Sequence, residues 1–201
     1  TQIQEVLSIS RKPLGIDHLK LKELIHEDFS EFNSVAEKLK GYDACFASMG
    51  VSAASMKEEQ YTKMTYDFTL ALANQLVKVN PHSTFIYASG QGTDSSEKVR
   101  AMWARVKGKT ENDIIKLGFK QAFMFRPGGI IPLRGILPSS KFYRFLVSHL
   151  TWLLKLMKIM APNAIVNTTQ IGLSMIKITK KGYSQNIINP KDMLILADEI
   201  V

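Results

Sequence analysis

Ser89 closes an apolar run, Thr-Phe-Ile-Tyr-Ala-Ser over 84–89, and a loop rich in glycine and serine follows. A helical stretch then carries Trp103, Lys107 and Glu111 at intervals of four, so all three project from one face. A hydroxyl at a strand end facing an ammonium across a flexible loop is a plausible reaction centre. It is equally one half of a nucleotide site. Plain alternatives exist: Ser89 as a strand cap, Lys107 as a solvated helix lysine. Lys109 lies two residues further and faces elsewhere. Glu111 reads as the i,i+4 partner of Lys107 rather than as an acid catalyst.

Other chemistry-bearing groups are fewer. Cys45 sits in an apolar strand pattern, which favours packing over nucleophilic chemistry, and one cysteine allows no disulfide within the chain. Together these point to a reducing, cytoplasmic setting. The four histidines, His18, His26, His82 and His149, have no metal-ligand spacing, so no metal site is expected.

The elements that would position these groups alternate. Residues 3–10 form a strand closed by Arg11-Lys12-Pro13. A second strand lies near Glu23 to Phe29. Ser30 can cap a helix through Lys40, with Gly41 as its stop. Tyr42 to Ser48 is a third strand, followed by the Gly50 loop. Met56 to Val79 reads as a long amphipathic helix ending at Asn80-Pro81. Thr84–Ser89 is the fourth strand, Ser96–Lys116 the next helix, and Phe119 to Arg126 the fifth strand, which runs into Pro127-Gly128-Gly129. Thr168 caps a helix over Thr169 to Lys180, and a terminal helix follows Asn189-Pro190. This alternation predicts an α/β fold: a doubly wound parallel sheet of Rossmann type in three αβα layers. With no internal repeat and no linker, residues 1–201 read as a single domain.

The chain has 201 residues, a length that allows a sizeable core, and a formal charge of +8, which favours anionic partners. The basic residues are scattered rather than clustered, so a phosphate-bearing cofactor is preferred over nucleic acid. The segment Phe142–Met160 is strongly apolar but is interrupted by Arg144, His149, Lys155 and Lys158, which argues against a membrane span. It reads as a helix covering the sheet or a homodimer interface. The alternative is an amphipathic helix resting on a membrane surface.

Several of these segments together resemble the short-chain dehydrogenase/reductase superfamily, in its atypical, extended, NmrA-like branch. They are Ser10-Arg11-Lys12 after the first strand, Asp28-Phe29 after the second and Ala47-Ser48-Met49-Gly50 after the third. Ser89 with Trp103, Lys107 and Glu111 is the fourth, and Arg126-Pro127-Gly128 after the fifth strand is the fifth. Thr168-Thr169-Gln170-Ile171-Gly172 is similar to a helix start common in these proteins. The resemblance implies an NAD(P)-binding oxidoreductase-like protein, dehydrogenase, reductase or epimerase-like, with an unidentified small-molecule substrate. It places the cofactor against Ser10, Arg11, Lys12, Asp28, Phe29, Ala47, Ser48, Met49, Gly50, Lys107, Arg126, Pro127 and Gly128. It gives Ser89 and Lys107 catalytic roles. A basic pair where an acid would bind the ribose 2′-hydroxyl favours NADP over NAD.

Two departures stand out. The family's Gly-rich strand–turn–helix is missing, so a first βα unit is expected upstream of Thr1. The family's tyrosine is replaced by Trp103, whose indole donates a hydrogen bond but does not exchange a proton near neutral pH. Standard carbonyl reduction through that position is therefore in doubt. The rival reading is a non-catalytic NADP(H)-binding sensor or assembly factor.

Overall fold

The computed structural model describes residues 3–133 and 164–198. The Phe142–Met160 segment lies outside them. Among the described residues there are eight strands: β1 (Val6–Ser10), β2 (Leu21–Ile25), β3 (Ala44–Ala47), β4 (Thr84–Ala88), β5 (Gln121–Phe125), β6 (Gly129–Ile131), β7 (Ile165–Asn167) and β8 (Ile187–Ile188). The helices are α1 (Glu58–Thr62), α2 (Phe68–Val79), α3 (Met102–Ile115), α4 (Thr168–Lys181) and α5 (Pro190–Asp198). A π-helical turn, Lys63–Asp67, joins α1 to α2, so the long helix expected from Met56 to Val79 runs from Glu58 to Val79 with that turn inside it. Every strand pair is parallel. The α/β parallel fold is as expected.

The ladders form three hydrogen-bonded sets: β1-β2, β3-β4-β5-β8 and β6-β7. Alternation along the central strands decides what packs on each face. Phe85, Tyr87, Ala122 and Met124 face one apolar layer, with Leu72, Ala73 and Leu76 of α2 and Ile114 of α3. Ile86, Phe123 and Phe125 face the other, with Met175 and Ile178 of α4 and Met193 and Leu196 of α5. Strands buried on both sides read as continuous apolar runs, which is why 84–88 shows no polar alternation.

Several boundaries differ from the sequence reading; the helix expected over Ser96–Lys116 runs Met102–Ile115, and three other differences have a plain local cause. The second strand ends at Ile25 rather than Phe29, because Asp28 turns the chain: its carboxylate accepts from the Ser30 amide at 2.9 Å and from the Ser30 hydroxyl. Ser30 is thereby used up, and the helix after it is a 3-10 turn, Asn33–Leu39, without a side-chain cap. The cap of α4 is Asn167, not Thr168. It forms a reciprocal box with Gln170, at 2.8 and 3.0 Å.

Candidate functional site

β3, β4 and β5 lie side by side and run the same way, with Ala47 opposite Tyr87 and Ala88 opposite Phe125. Their carboxyl ends therefore deliver Ser48, Ser89 and Arg126 to one edge of the sheet. Parallel α/β sheets characteristically present ligand-binding groups at this edge.

The junction at Ser89 is the most highly connected part of that edge. Its amide donates to Phe125 O at 2.8 Å, which continues the ladder. Its carbonyl accepts from Lys107 Nζ. Its hydroxyl lies within hydrogen-bonding reach of the Glu111 carboxylate and, at 3.1 Å, of Phe125 O. Glu111 is 1% exposed. It is held by Arg126, whose Nε donates at 3.0 Å to one oxygen while Nη2 donates to the other. Lys107 and Glu111, one helical turn apart on α3, thus meet the carbonyl and hydroxyl sides of a single serine. The expectation that Glu111 serves chiefly as the i,i+4 partner of Lys107 is replaced by this fork from Arg126. Burial lowers the Lys107 ammonium below the usual lysine range, opposed by the Glu111 charge.

The loop between Ser89 and α3 is built rather than slack. Asp94 accepts from the Ser96, Lys98 and Val99 amides at 3.1, 2.8 and 3.0 Å and from the Ser96 hydroxyl at 2.7 Å. These bonds, that from Val99 foremost, depress its carboxyl far below the ordinary range. Gly108 lets α3 approach this loop, since a β-carbon there would lie 1.8 Å from Asp94 O. Gln91 N donates to Pro127 O at 2.9 Å, and a β-carbon on Gly128 would fall 2.5 Å from Ala164 O. Trp103 lies against Gly92, where a β-carbon would be 3.0 Å from Cη2 of the indole. Asp94, Gln91 and Gly108 escaped the sequence reading. A glycine inside a good helical pattern was the available signal.

The remaining candidates are distributed as follows. Ser10 spends its hydroxyl on Lys12 O at 2.7 Å. The exposed Arg11 lies over the rings of Phe29 and Phe68, at 5.3 and 5.7 Å. Phe29 itself is 7% exposed and packs on Phe32 and Phe68, so it belongs to the core beneath Arg11. Asp28 serves its local turn, and its carboxyl is lowered by the Ser30 bonds. Ala47 is buried, Ser48 is exposed, and Met49 packs against the core. Gly50 has nothing within 4 Å of a hypothetical β-carbon and no positive φ, so the fold itself does not demand glycine there. Tyr87 points into the core, and burial raises its phenol, which keeps it out of this site. Burial pushes the Cys45 thiol up to about 12, consistent with packing. Among the described residues no cluster of metal-ligating side chains occurs, and no helix is long and apolar enough to cross a membrane.

No family model matches the chain. It is 27% identical over 130 residues to Protein FMP52-1, mitochondrial, of Scheffersomyces stipitis, covering 64% of this chain and 56% of that one. It is 29% identical over 136 residues to Protein FMP52, mitochondrial, of Debaryomyces hansenii, covering 66% and 58%. The chain thus spans a little over half the length of these relatives. These names overturn the expectation of a cytoplasmic protein, which rested on cysteine usage alone. A single unpaired cysteine does not distinguish one reducing compartment from another.

Among solved structures, the chain matches RMD from Pseudomonas aeruginosa complexed with NADPH with a TM-score of 0.59 at 16% identity, over 88% of this chain and 70% of that one. It matches a short-chain dehydrogenase/reductase superfamily protein from Agrobacterium tumefaciens with bound NAD with a TM-score of 0.61 at 10% identity, over 90% and 68%. These likenesses establish a Rossmann-like fold.

Proposed function

We propose that this chain is an NADP(H)-binding, oxidoreductase-like protein of the short-chain dehydrogenase/reductase kind, acting on an unidentified small molecule. The observation that carries the reading is the Ser89 junction: a lysine and a carboxylate on one helix face, fastened to the end of a central strand at the ligand edge of a parallel sheet. The solved neighbours that bind NADPH and NAD support the cofactor class.

The residues fit the group unevenly. Lys107 has ammonium protons beyond the one given to Ser89 O, suited to ribose hydroxyls. Gly50 leaves open space where a ligand could approach the backbone. Arg11, placed over the Phe29 ring, presents a guanidinium suited to a 2′-phosphate, and Lys12 adds charge. Ser48, Met49, Pro127 and Gly128 would shape the walls. The sequence contains no G-x-x-G-x-x-G turn for the pyrophosphate. When bound, the nicotinamide would supply or accept a hydride. The chain's own part is to orient it and to exclude water.

Titration of NADPH and NADH against the full chain, followed by nicotinamide fluorescence, tests this. The expected result is at least about tenfold tighter NADPH binding, the scale of one charge-assisted hydrogen bond, and loss of that preference in Arg11→Gln. Equal affinities would overturn the NADP assignment, and binding of neither dinucleotide would overturn the reading.

A second reading is a non-catalytic NADP(H) sensor. It is favoured by Trp103 in place of a proton-exchanging phenol and by a Ser89 hydroxyl already committed to Glu111. NADPH consumption against a carbonyl panel separates the two, with Trp103→Tyr as the gain-of-function arm. The names of the fungal relatives support a mitochondrial setting, which imaging of the tagged protein would test. We treat residues 1–201 as one domain and the homodimer as open to light scattering.

A further inference from the structure

A short turn, Gly90 to Thr93, leads the chain off the end of β4. Its first carbonyl, Gly90 O, accepts from Thr93 N at 3.2 Å and from Thr93 Oγ1 at 2.8 Å. Gly90 and Gly92 take φ values of 149° and 89°, a region that residues with a β-carbon rarely adopt. Gln91 stands between them, and its amide donates to Pro127 O at 2.9 Å. The turn therefore ties the end of β4 to the chain leaving β5, and fixes where the Gln91 side chain starts.

The side chain is seated as well. Gly128 has no positive φ, so what glycine supplies there is room. A β-carbon at 128 would lie 2.4 Å from Gln91 Oε1 and 3.4 Å from its Cδ. On the far side of the turn the Trp103 ring closes on Gly92. The Gln91 carboxamide is exposed and, among the described residues, has no hydrogen-bond partner. It keeps two N–H donors and a carbonyl acceptor for a ligand. Ser89, two residues earlier, is in the opposite condition. It is 7% exposed, and both groups within reach of its hydroxyl, the Glu111 carboxylate and Phe125 O, are acceptors. Its one proton is committed. A ligand that needs a donor at this strand end is left with Gln91 and Lys107.

We propose that Gln91 is a specificity residue for the carboxamide of a nicotinamide ring. The inference rests on the cofactor reading above. Lys107 Nζ, suited there to ribose hydroxyls, lies beside this turn: a β-carbon on Gly90 would be 3.8 Å from it. The base carried by that ribose is then the group that comes to Gln91. A nicotinamide ring has one hydrogen-bonding substituent, a primary carboxamide, with the same two donors and one acceptor as a glutamine side chain. Two such groups pair reciprocally, each N–H donating to the other's carbonyl. The pairing fixes the ring's rotation about its bond to the ribose, and so decides which face of the ring is turned to the substrate. A purely accepting side chain at 91 would satisfy half of it.

Calorimetric titration of the full chain with NADP+ and with its 3-acetylpyridine analogue tests this. The analogue keeps the carbonyl and carries a methyl group in place of the amide nitrogen. The parent chain should bind NADP+ about five- to tenfold tighter than the analogue, the scale of one lost hydrogen bond. Gln91→Met, of similar length at an exposed position, should bind the two about equally, with circular dichroism unchanged. In heteronuclear NMR spectra, the side-chain amide signals missing from Gln91→Met identify Gln91. They should shift on addition of NADP+ and stay in place with adenosine 2′,5′-bisphosphate, which lacks the ring. A preference that survives in Gln91→Met, equal affinities in the parent, or the same shift with the bisphosphate overturns the proposal and leaves the cofactor reading standing. Binding of neither dinucleotide overturns both.

Discussion

Replacing Arg126 by methionine removes one partner of a pair sealed from water. Glu111 is 1% exposed, and the Arg126 side chain is 14% exposed. Two of the three donors to the Glu111 carboxylate come from Arg126, and only the Ser89 hydroxyl would remain. A lone buried carboxylate costs far more than the net worth of the intact pair, so the single variant should lose about 3–5 kcal/mol. Against a total stability of roughly 5–15 kcal/mol, that is a large fraction. At a urea slope of about 2 kcal/mol/M, the unfolding midpoint should fall by about 1.5–2.5 M. The companion change Glu111→Met should be costly by itself, because it orphans the guanidinium. The double variant Arg126→Met/Glu111→Met should recover most of the loss, since two apolar side chains of similar volume replace the pair. Urea unfolding of all four proteins, followed by far-ultraviolet circular dichroism, closes the cycle. A single-variant loss under 1 kcal/mol, or a double variant whose loss equals the sum of the singles, would refute the claim that the pair acts as a sealed unit.

Three further outcomes follow from particular residues. Gly108→Ala forces a β-carbon onto Asp94 O and should cost about 1–3 kcal/mol, a melting-point drop of roughly 2–12 °C. Gly172→Ala, in α4 with nothing within 4 Å, should instead raise the melting point by removing about 1 kcal/mol of helix penalty. The Lys109 hydrogen bond, with Tyr66 and Lys116, holds the Asp113 carboxyl down to about 2. A depressed folded value stabilises above the unfolded value near 3.9 and fades as pH falls toward about 2. Denaturant midpoints measured from pH 5 to 2 should therefore fall less steeply in Asp113→Asn than in the parent chain.

What was legible in the sequence was whatever repeats locally. The apolar run at 84–88, the fourfold spacing of Trp103, Lys107 and Glu111, and the Asn80-Pro81 stop each depend on neighbours within a few residues. Helical and strand periods therefore gave the β–α alternation and the parallel class. Elements of two or three residues, such as β6, β7 and β8, carry no period and were missed. Turn chemistry that competes with a cap was also missed, as at Asp28 and Ser30.

The residues' final partners were a matter for tertiary structure. Sequence spacing pairs Glu111 with Lys107, but β5 brings Arg126 to it. A planar fork that satisfies both carboxylate oxygens in a dry site outweighs a single ammonium already bound to Ser89 O. Strand order was equally hidden. Nothing in residues 6–10 or 44–47 says which strand lies beside each, because a ladder's partner is fixed by distant chain segments. The sequence by itself determined the longer β–α pieces and their parallel class; only their assembly decided which groups face one another across the Ser89 junction, because those contacts join residues far apart in the chain.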